Sequence, residues 1–242
     1  MLFTVITINY NNKKGLLRTL SNVADLKRKY SFEYVVVDGN SSDGSKDLLA
    51  QYRTIIDICI SERDSGIYNA MNKGVNVSTG KYINFLNSGD CLFFNEMDSV
   101  IDKLKSNSCD FLYGDYFIKR SNERYIWKNN KTIKHLWKGF FCHQSIFTRR
   151  NLLIKYPLNE KLKICGDSDF VLNIIKNKQK IEKINVPFAI IEPGGVSDIN
   201  RIRSLIEQWK VTKEKKIKSS IVVTMFFMLQ IIKNMLIKLI RW

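Results

Sequence analysis

Four short apolar runs, at residues 2–8, 33–37, 55–60 and 81–86, each stop at a cluster of acids and amides, and a stretch of helical apolar spacing follows each. This alternation constrains the fold more than anything else in the chain. Strands alternating with helices build a parallel or mostly parallel sheet with right-handed crossovers and helices on its faces. All the strands then end on one edge, where α/β sheets bind their ligands. Residues 7–11, 38–43, 62–64 and 87–90 are expected to converge there. One acid in a turn is ordinarily a turn former. Four acid- or amide-rich loops on one edge read as a site.

The clearest loop is Val35-Val36-Val37-Asp38-Gly39-Asn40-Ser41-Ser42-Asp43-Gly44-Ser45. Asp38 falls at the strand end, and Ser42 or Asp43 is the expected N-cap of a helix over residues 43–52. A carboxylate there repels phosphate but accepts hydrogen bonds from a base or ribose, so it suits the nucleoside end of a nucleotide. Gly39 to Lys46 narrowly misses the GxxxxGK[ST] phosphate loop. Its last two residues are exchanged, and Asp43 places negative charge among the phosphate-binding amides. No GxGxxG is present.

Further helices are expected at 13–29, 65–77, 95–105 and 168–176, a strand over 111–113 ending at Gly114-Asp115, and a hairpin or edge segment over 116–127. With 242 residues, the chain divides into a domain over 1–200 and a tail over 201–242. Hydrophobic content of 45% against 26% charged residues excludes disorder. A net charge of +16 favours anionic partners. The five cysteines are odd in number and lack CxxC spacing, which reads as reduced thiols in a cytosolic protein, with no zinc site. Residues 2–8 lack a cleavage site and read as the first strand, not as a secretion signal.

The tail opens with a basic helix over 202–218. An uncharged run over 219–232 follows, then Lys233, Lys238 and Arg241. The run falls short of the roughly 20 apolar residues of a bilayer span. Ile221, Met225, Met228, Ile232, Met235 and Leu239 form one helical stripe. Such an amphipathic helix packs on the domain or on a second copy, or it lies on an anionic bilayer. Cationic flanks and the terminal Trp242 favour the bilayer.

Residues 35–45, 61–74 and 85–90 together resemble family 2 glycosyltransferases, closest to those of O-antigen, capsule and exopolysaccharide clusters. The resemblance covers about residues 3–195, and Asp64-Ser65-Gly66-Ile67-Tyr68-Asn69-Ala70-Met71-Asn72-Lys73-Gly74 is its most specific part. It implies a GT-A fold, a nucleotide-sugar donor, Mn²⁺ or Mg²⁺, and inversion at the anomeric carbon. Asp38 then matches the base-binding acid, with Thr7 and Asn9 beside it, and Asp64 the second nucleoside-side acid. Arg63 and Lys73 are placed to meet pyrophosphate. Asp90 matches the last acid of the metal-binding DxD motif. Asn87-Ser88-Gly89 precede it, so one carboxylate would share the ion with diphosphate and water.

Cys165-Gly166-Asp167-Ser168-Asp169-Phe170 is similar to the family's acceptor-side acidic motif. Asp167 aligns with the general base, and Gly166 replaces the Glu before it. Asp169 is a helix-start acid or a sugar contact. The subgroup also carries His-Gln at the place of His143 and Gln144, so His143 is a candidate metal ligand or sugar contact and Gln144 a candidate sugar contact. His135 reads as a surface residue. Trp127, Trp137 and Phe140 either stack on sugar rings or fill the core.

The expected activity is sugar transfer from a nucleotide-sugar, UDP favoured, to a polyprenyl-diphosphate-linked saccharide at the inner face of the cytoplasmic membrane. A sugar nucleotidyltransferase would want a Gly-rich loop where Asn9-Tyr10-Asn11-Asn12 stands. A basic membrane adaptor would need no strand-end acids. No nucleic-acid module pattern is present, so nucleic acid is not an expected partner.

Overall fold

The computed structural model describes residues 1–120, 125–138 and 142–240, the last with side chains omitted at 196, 198 and 237–240. Strands β1 (Phe3–Asn9), β2 (Glu33–Asp38), β3 (Ile58–Ser61) and β4 (Tyr82–Phe85) lie in the order β3-β2-β1-β4, all parallel. Helices α1 (Lys13–Lys29), α2 (Ser45–Gln51) and α3 (Ile67–Val77) make the crossovers. Period-two alternation in β2 feeds two cores. Tyr34 and Val36 pack with Leu16, Leu20 and Val23 of α1, whereas Val35 and Val37 pack with Met71 and Val75 of α3.

The chain continues through β5 (Cys91–Leu92), α4 (Met97–Lys105), β6 (Phe111–Lys119), β7 (Tyr125–Lys128), β8 (Ile146–Arg149), α5 (Arg150–Lys155), α6 (Gly166–Lys176) and β9 (Ile181–Ile191). These strands extend the sheet as β4-β8-β6-β9-β5, with β7 paired to β6. This half is mixed: β8 runs antiparallel to β4 and β6, and β9 parallel to β6. The expected stop at Gly114-Asp115 is an irregularity inside β6, not its end. Gly114 is required there, because a Cβ would lie 2.5 Å from the Phe188 ring. Strands β6 and β7 pair antiparallel over the expected hairpin or edge segment.

Helix α2 departs from its expected capping. It starts after Gly44, at φ +86°, with no side-chain cap. Asp43 stands one residue outside and joins two helix starts. Its Oδ1 accepts from Ser45 N at 3.0 Å, and its Oδ2 from Lys13 N at 2.7 Å.

The C-terminal part forms α7 (Val196–Ile199), α8 (Arg201–Lys215) and α9 (Ser220–Ile240). Leu205, Val211, Val223, Phe227 and Ile231 join Trp137 and Leu172 in a third core, so both long helices pack on the domain. Only one face of α9 is covered. Ile221, Met225, Leu229 and Ile232 are 72%, 62%, 63% and 53% exposed, and Met228 and Met235 share that side. The side chain of Leu239, and Trp242 and Phe140, lie outside the described residues. Among those residues no helix is long and apolar enough to cross a membrane.

Candidate active site

Register sets three strand ends level: Asn9 stands opposite Asp38, and Asp38 opposite Ser61. The Asp38 carboxylate is fully buried. Its Oδ1 accepts from Asn9 Nδ2 (2.8 Å) and Ser41 Oγ (2.6 Å), and its Oδ2 from Ser41 N (2.9 Å) and Ser61 Oγ (3.0 Å). Burial pushes its pKa up, but the donors from Ser41, Asn9 and Ser61 together hold it below the ordinary value. Beside it, Asn9 Oδ1 is buried without a partner. Asp64 stands beside this cluster: its Oδ1 accepts from Gly66 N at 2.9 Å, and its Oδ2 would lie 2.7 Å from a Cβ on Gly39. Gly39 therefore lets the two acidic loops touch.

Thr7 belongs to the layer beneath, where its Oγ1 accepts from Tyr34 OH at 3.0 Å. Lys73 Nζ reaches Glu62 Oε1 (2.6 Å) and the Arg63 carbonyl (2.9 Å). Arg63 is exposed on the rim.

The loop after β4 is seated on α1. Gly89 N donates to Thr19 Oγ1 at 2.9 Å, and Asn12 Nδ2 to the Ser88 carbonyl at 3.0 Å. Asp90 is buried, its Oδ2 accepting from Gln144 Nε2 (2.6 Å) and its Oδ1 from Glu192 N (3.0 Å). Burial pushes its pKa up to about 6, against the pull of those two donors, His143 and Arg18. Among the described residues no three His, Cys, Asp or Glu side chains converge as a metal cluster. A divalent ion fits here only as a shared guest, with Asp90 as one ligand and diphosphate and water oxygens as the others. Gln144 is thus the partner of Asp90. Arg18 was not legible as a site residue, since on a helix it reads as any solvated arginine; its Nη1 lies 3.1 Å from Glu192 Oε2.

Opposite this loop stands the start of α6. His143 Nδ1 is 3.1 Å from Asp167 Oδ2, and its Nε2 3.1 Å from Asn87 Nδ2. Nδ1–H donating to the carboxylate and Nε2 accepting from the amide is the consistent assignment. Both ring nitrogens are then engaged, so His143 has no lone pair left for a metal. Asp167 Oδ1 accepts from Ser168 N at 2.7 Å, and Tyr68 OH lies 3.5 Å away. A carboxylate has about four acceptor positions. The one left open is on Oδ2, and the side chain is 21% exposed. Gly166 stands where the resemblance implies Glu because a Cβ would lie 2.7 Å from the Tyr68 ring. That contact brings α3 against α6.

The remaining candidates lie elsewhere. Asp169 is buried and turned to Lys215 Nζ at 2.7 Å. His135 is exposed, its Nδ1 3.1 Å from Thr132 Oγ1. Trp137 fills the third core. Trp127 is 52% exposed, its Nε1 donating to Asp115 Oδ2 at 3.3 Å.

The sequence and the fold are similar to those of known proteins. The family model "Glycosyl transferase family 2" matches residues 4–166. A PGL/p-HBAD biosynthesis glycosyltransferase of Mycobacterium bovis is 30% identical over 178 residues, 69% of this chain and 68% of that one. The Escherichia coli UDP-Glc:alpha-D-GlcNAc-diphosphoundecaprenol beta-1,3-glucosyltransferase WfgD is 26% identical over 222 residues, 87% of this chain and 85% of its own. The structure of S. aureus TarS in complex with UDP-GlcNAc superposes with a TM-score of 0.72 at 17% identity, covering 94% of this chain and 70% of that one, which identifies the fold as GT-A. This chain belongs to glycosyl transferase family 2.

Proposed function

We propose that the protein is an inverting transferase that moves a sugar from a UDP-sugar to a hydroxyl of a saccharide carried on a lipid diphosphate, in the synthesis of a surface polysaccharide. One observation carries the reading. The partly exposed Asp167, oriented by His143, faces the Asn87–Asp90 loop across the sheet edge that holds the buried Asp38 pocket. The names of WfgD and of the TarS complex support the donor and acceptor classes.

In this reading the Asp38–Asn9–Asp64 pocket takes the nucleoside. The acceptor oxygen attacks the anomeric carbon from the face opposite the diphosphate and loses its proton to Asp167 Oδ2. The bond from that carbon to the diphosphate oxygen breaks, and the nucleoside diphosphate leaves with the electron pair. His143 keeps Asp167 pointed at the acceptor. A divalent ion held by Asp90 with the diphosphate would supply positive charge for the leaving group.

Calorimetry tests the nucleoside pocket. Asp38→Ala releases the Asn9, Ser41 and Ser61 donors that the buried carboxylate holds in place, and UDP affinity should fall by roughly 1.5–3 kcal/mol, the range for bonds to a charged group. Unchanged UDP affinity in the folded variant would exclude this site for the nucleoside.

The exposed face of α9 fits an anionic bilayer at the inner side of the cell membrane. Bulky apolar side chains line it, and Lys216, Lys218 and Lys233 flank it. Replacing Ile221, Met225, Leu229 and Ile232 by Ser should abolish sedimentation with anionic liposomes and leave the melting temperature in place. Phe227→Ala, on the covered face, should cost about 3–5 kcal/mol of stability. If the Ser variant still sediments, the bilayer is not what covers the face; if it only turns a dimer into a monomer on a sizing column, the cover is a second copy.

A further inference from the structure

We infer that Glu207 of α8 is a positioning residue for Asp167, so that the helix following the sheet is part of the catalytic apparatus; the inference rests on Asp167 being the base. Glu207 Oε1 accepts from three successive backbone amides, Lys163 N (3.1 Å), Ile164 N (2.8 Å) and Cys165 N (2.8 Å). Those amides belong to the strap that delivers the chain to α6, whose N-cap is Cys165. Two residues later stands Asp167.

A carboxylate gathering three amides fixes the backbone more firmly than one neutral bond does, because each bond is charge-assisted. Two more contacts tie the same helix start to α8. Lys215 Nζ pairs with the buried Asp169 at 2.7 Å, and Cys165 Sγ lies 3.4 Å from the Ser204 carbonyl. Without Glu207 the strap loses its anchor and three amides lose their acceptor. Asp167 would then sample positions away from the line through His143. Misplacement of a reacting group by about 1 Å costs on the order of 10²-fold in rate. The family match ends at residue 166, so neither Asp167 nor Glu207 lies within it.

The test compares Glu207→Ala, Glu207→Gln, Asp167→Asn and the double variant Glu207→Ala/Asp167→Asn. Gln208→Ala serves as a control, since the buried Gln208 side chain, among the described residues, bonds within α8, to Thr212. Glu207→Ala should lower kcat about 10- to 100-fold with donor KM and UDP affinity within twofold. Glu207→Gln keeps an acceptor oxygen without the charge and should recover part of the loss. In the Asp167→Asn background, removing Glu207 should lower the rate no further, since the two act through one group. Gln208→Ala should lose stability without a comparable loss of kcat.

Wild-type kcat in Glu207→Ala, additive losses in the double variant, or an equal kcat loss in Gln208→Ala at matched stability would each overturn the inference. Full activity in Asp167→Asn would instead overturn the assignment of the base. An inactive Asp167→Asn beside a fully active Glu207→Ala would leave the base standing and remove only the positioning role.

Discussion

Asp167→Asn should lower kcat by about 10²–10⁴-fold, the usual contribution of a general base, while UDP affinity stays within a factor of about two of wild type. The amide keeps the shape of the side chain, and its oxygen still accepts from Ser168 N or His143 Nδ1. What disappears is the lone pair on Oδ2 that is left open for a proton. UDP binding is the internal control, because the Asp38 pocket shares no hydrogen bond with Asp167. His143→Ala should cost less, since it removes an orienting partner and leaves the base. If His143→Ala abolishes turnover and Asp167→Asn does not, the imidazole takes the proton and the carboxylate only orients it. Initial rates with saturating donor, measured beside UDP calorimetry, separate these outcomes.

The second large effect concerns stability against pH. Asp90 titrates near 3.8 as an ordinary aspartate and near 6 in the fold, because it is buried. Between those values the folded chain binds more protons than the unfolded chain, so stability falls as pH rises and levels off above about 6. Roughly two pKa units correspond to about 3 kcal/mol. Asp90→Asn does not titrate. Measured against wild type, its stability should therefore improve by about 2.5 kcal/mol between pH 4 and pH 8, the remainder of the loss lying below pH 4. The amide meets Glu192 N less well than a carboxylate oxygen does, but that cost is the same at every pH, so the slope is diagnostic. Urea unfolding of both proteins across this range reads it directly. A flat difference would mean that the Asp90 carboxylate does not carry this burial penalty. In the proposed function, the ionised form of Asp90 is the one that would meet the ion on the leaving diphosphate.

The first half of the fold was legible because its signals are local. Helix α1 occupies the expected 13–29, since Leu16, Leu20 and Val23 repeat on one face, and β1, β2 and β4 follow their apolar runs within a residue or two. Strand β9 was not legible. It intersperses Ile with Glu182, Lys183 and Asn185 and carries Pro187, and its partner β6 lies far away in sequence. Strand β8 and the short α5 gave no periodic signal of useful length either. At the site, the strand-end acids could be read because register places them. Thr7 was misplaced by one layer: it shares a face with Asn9 but stands one residue pair deeper along the strand, against Tyr34. The partners that hold the acids, Gln144 on Asp90 and Glu207 on the strap before Asp167, arrive through tertiary packing and have no local pattern.

The contact between Tyr68 and Gly166 bears on how such a chain can diverge. Asp64, beside Gly39 and the Asp38 loop, and Tyr68, against the helix of Asp167, are four residues apart in a single stretch of backbone, Asp64 in the turn before α3 and Tyr68 in its first turn. The spacing between donor and acceptor sides is therefore written in covalent geometry as a fixed length. An insertion between residues 64 and 68 would shear the two halves of the reaction apart. Loops that touch neither residue can lengthen, shorten or change chemistry with the reacting atoms still in step. Changes of chemistry in those loops should therefore be tolerated, while a change of length between Asp64 and Tyr68 should not.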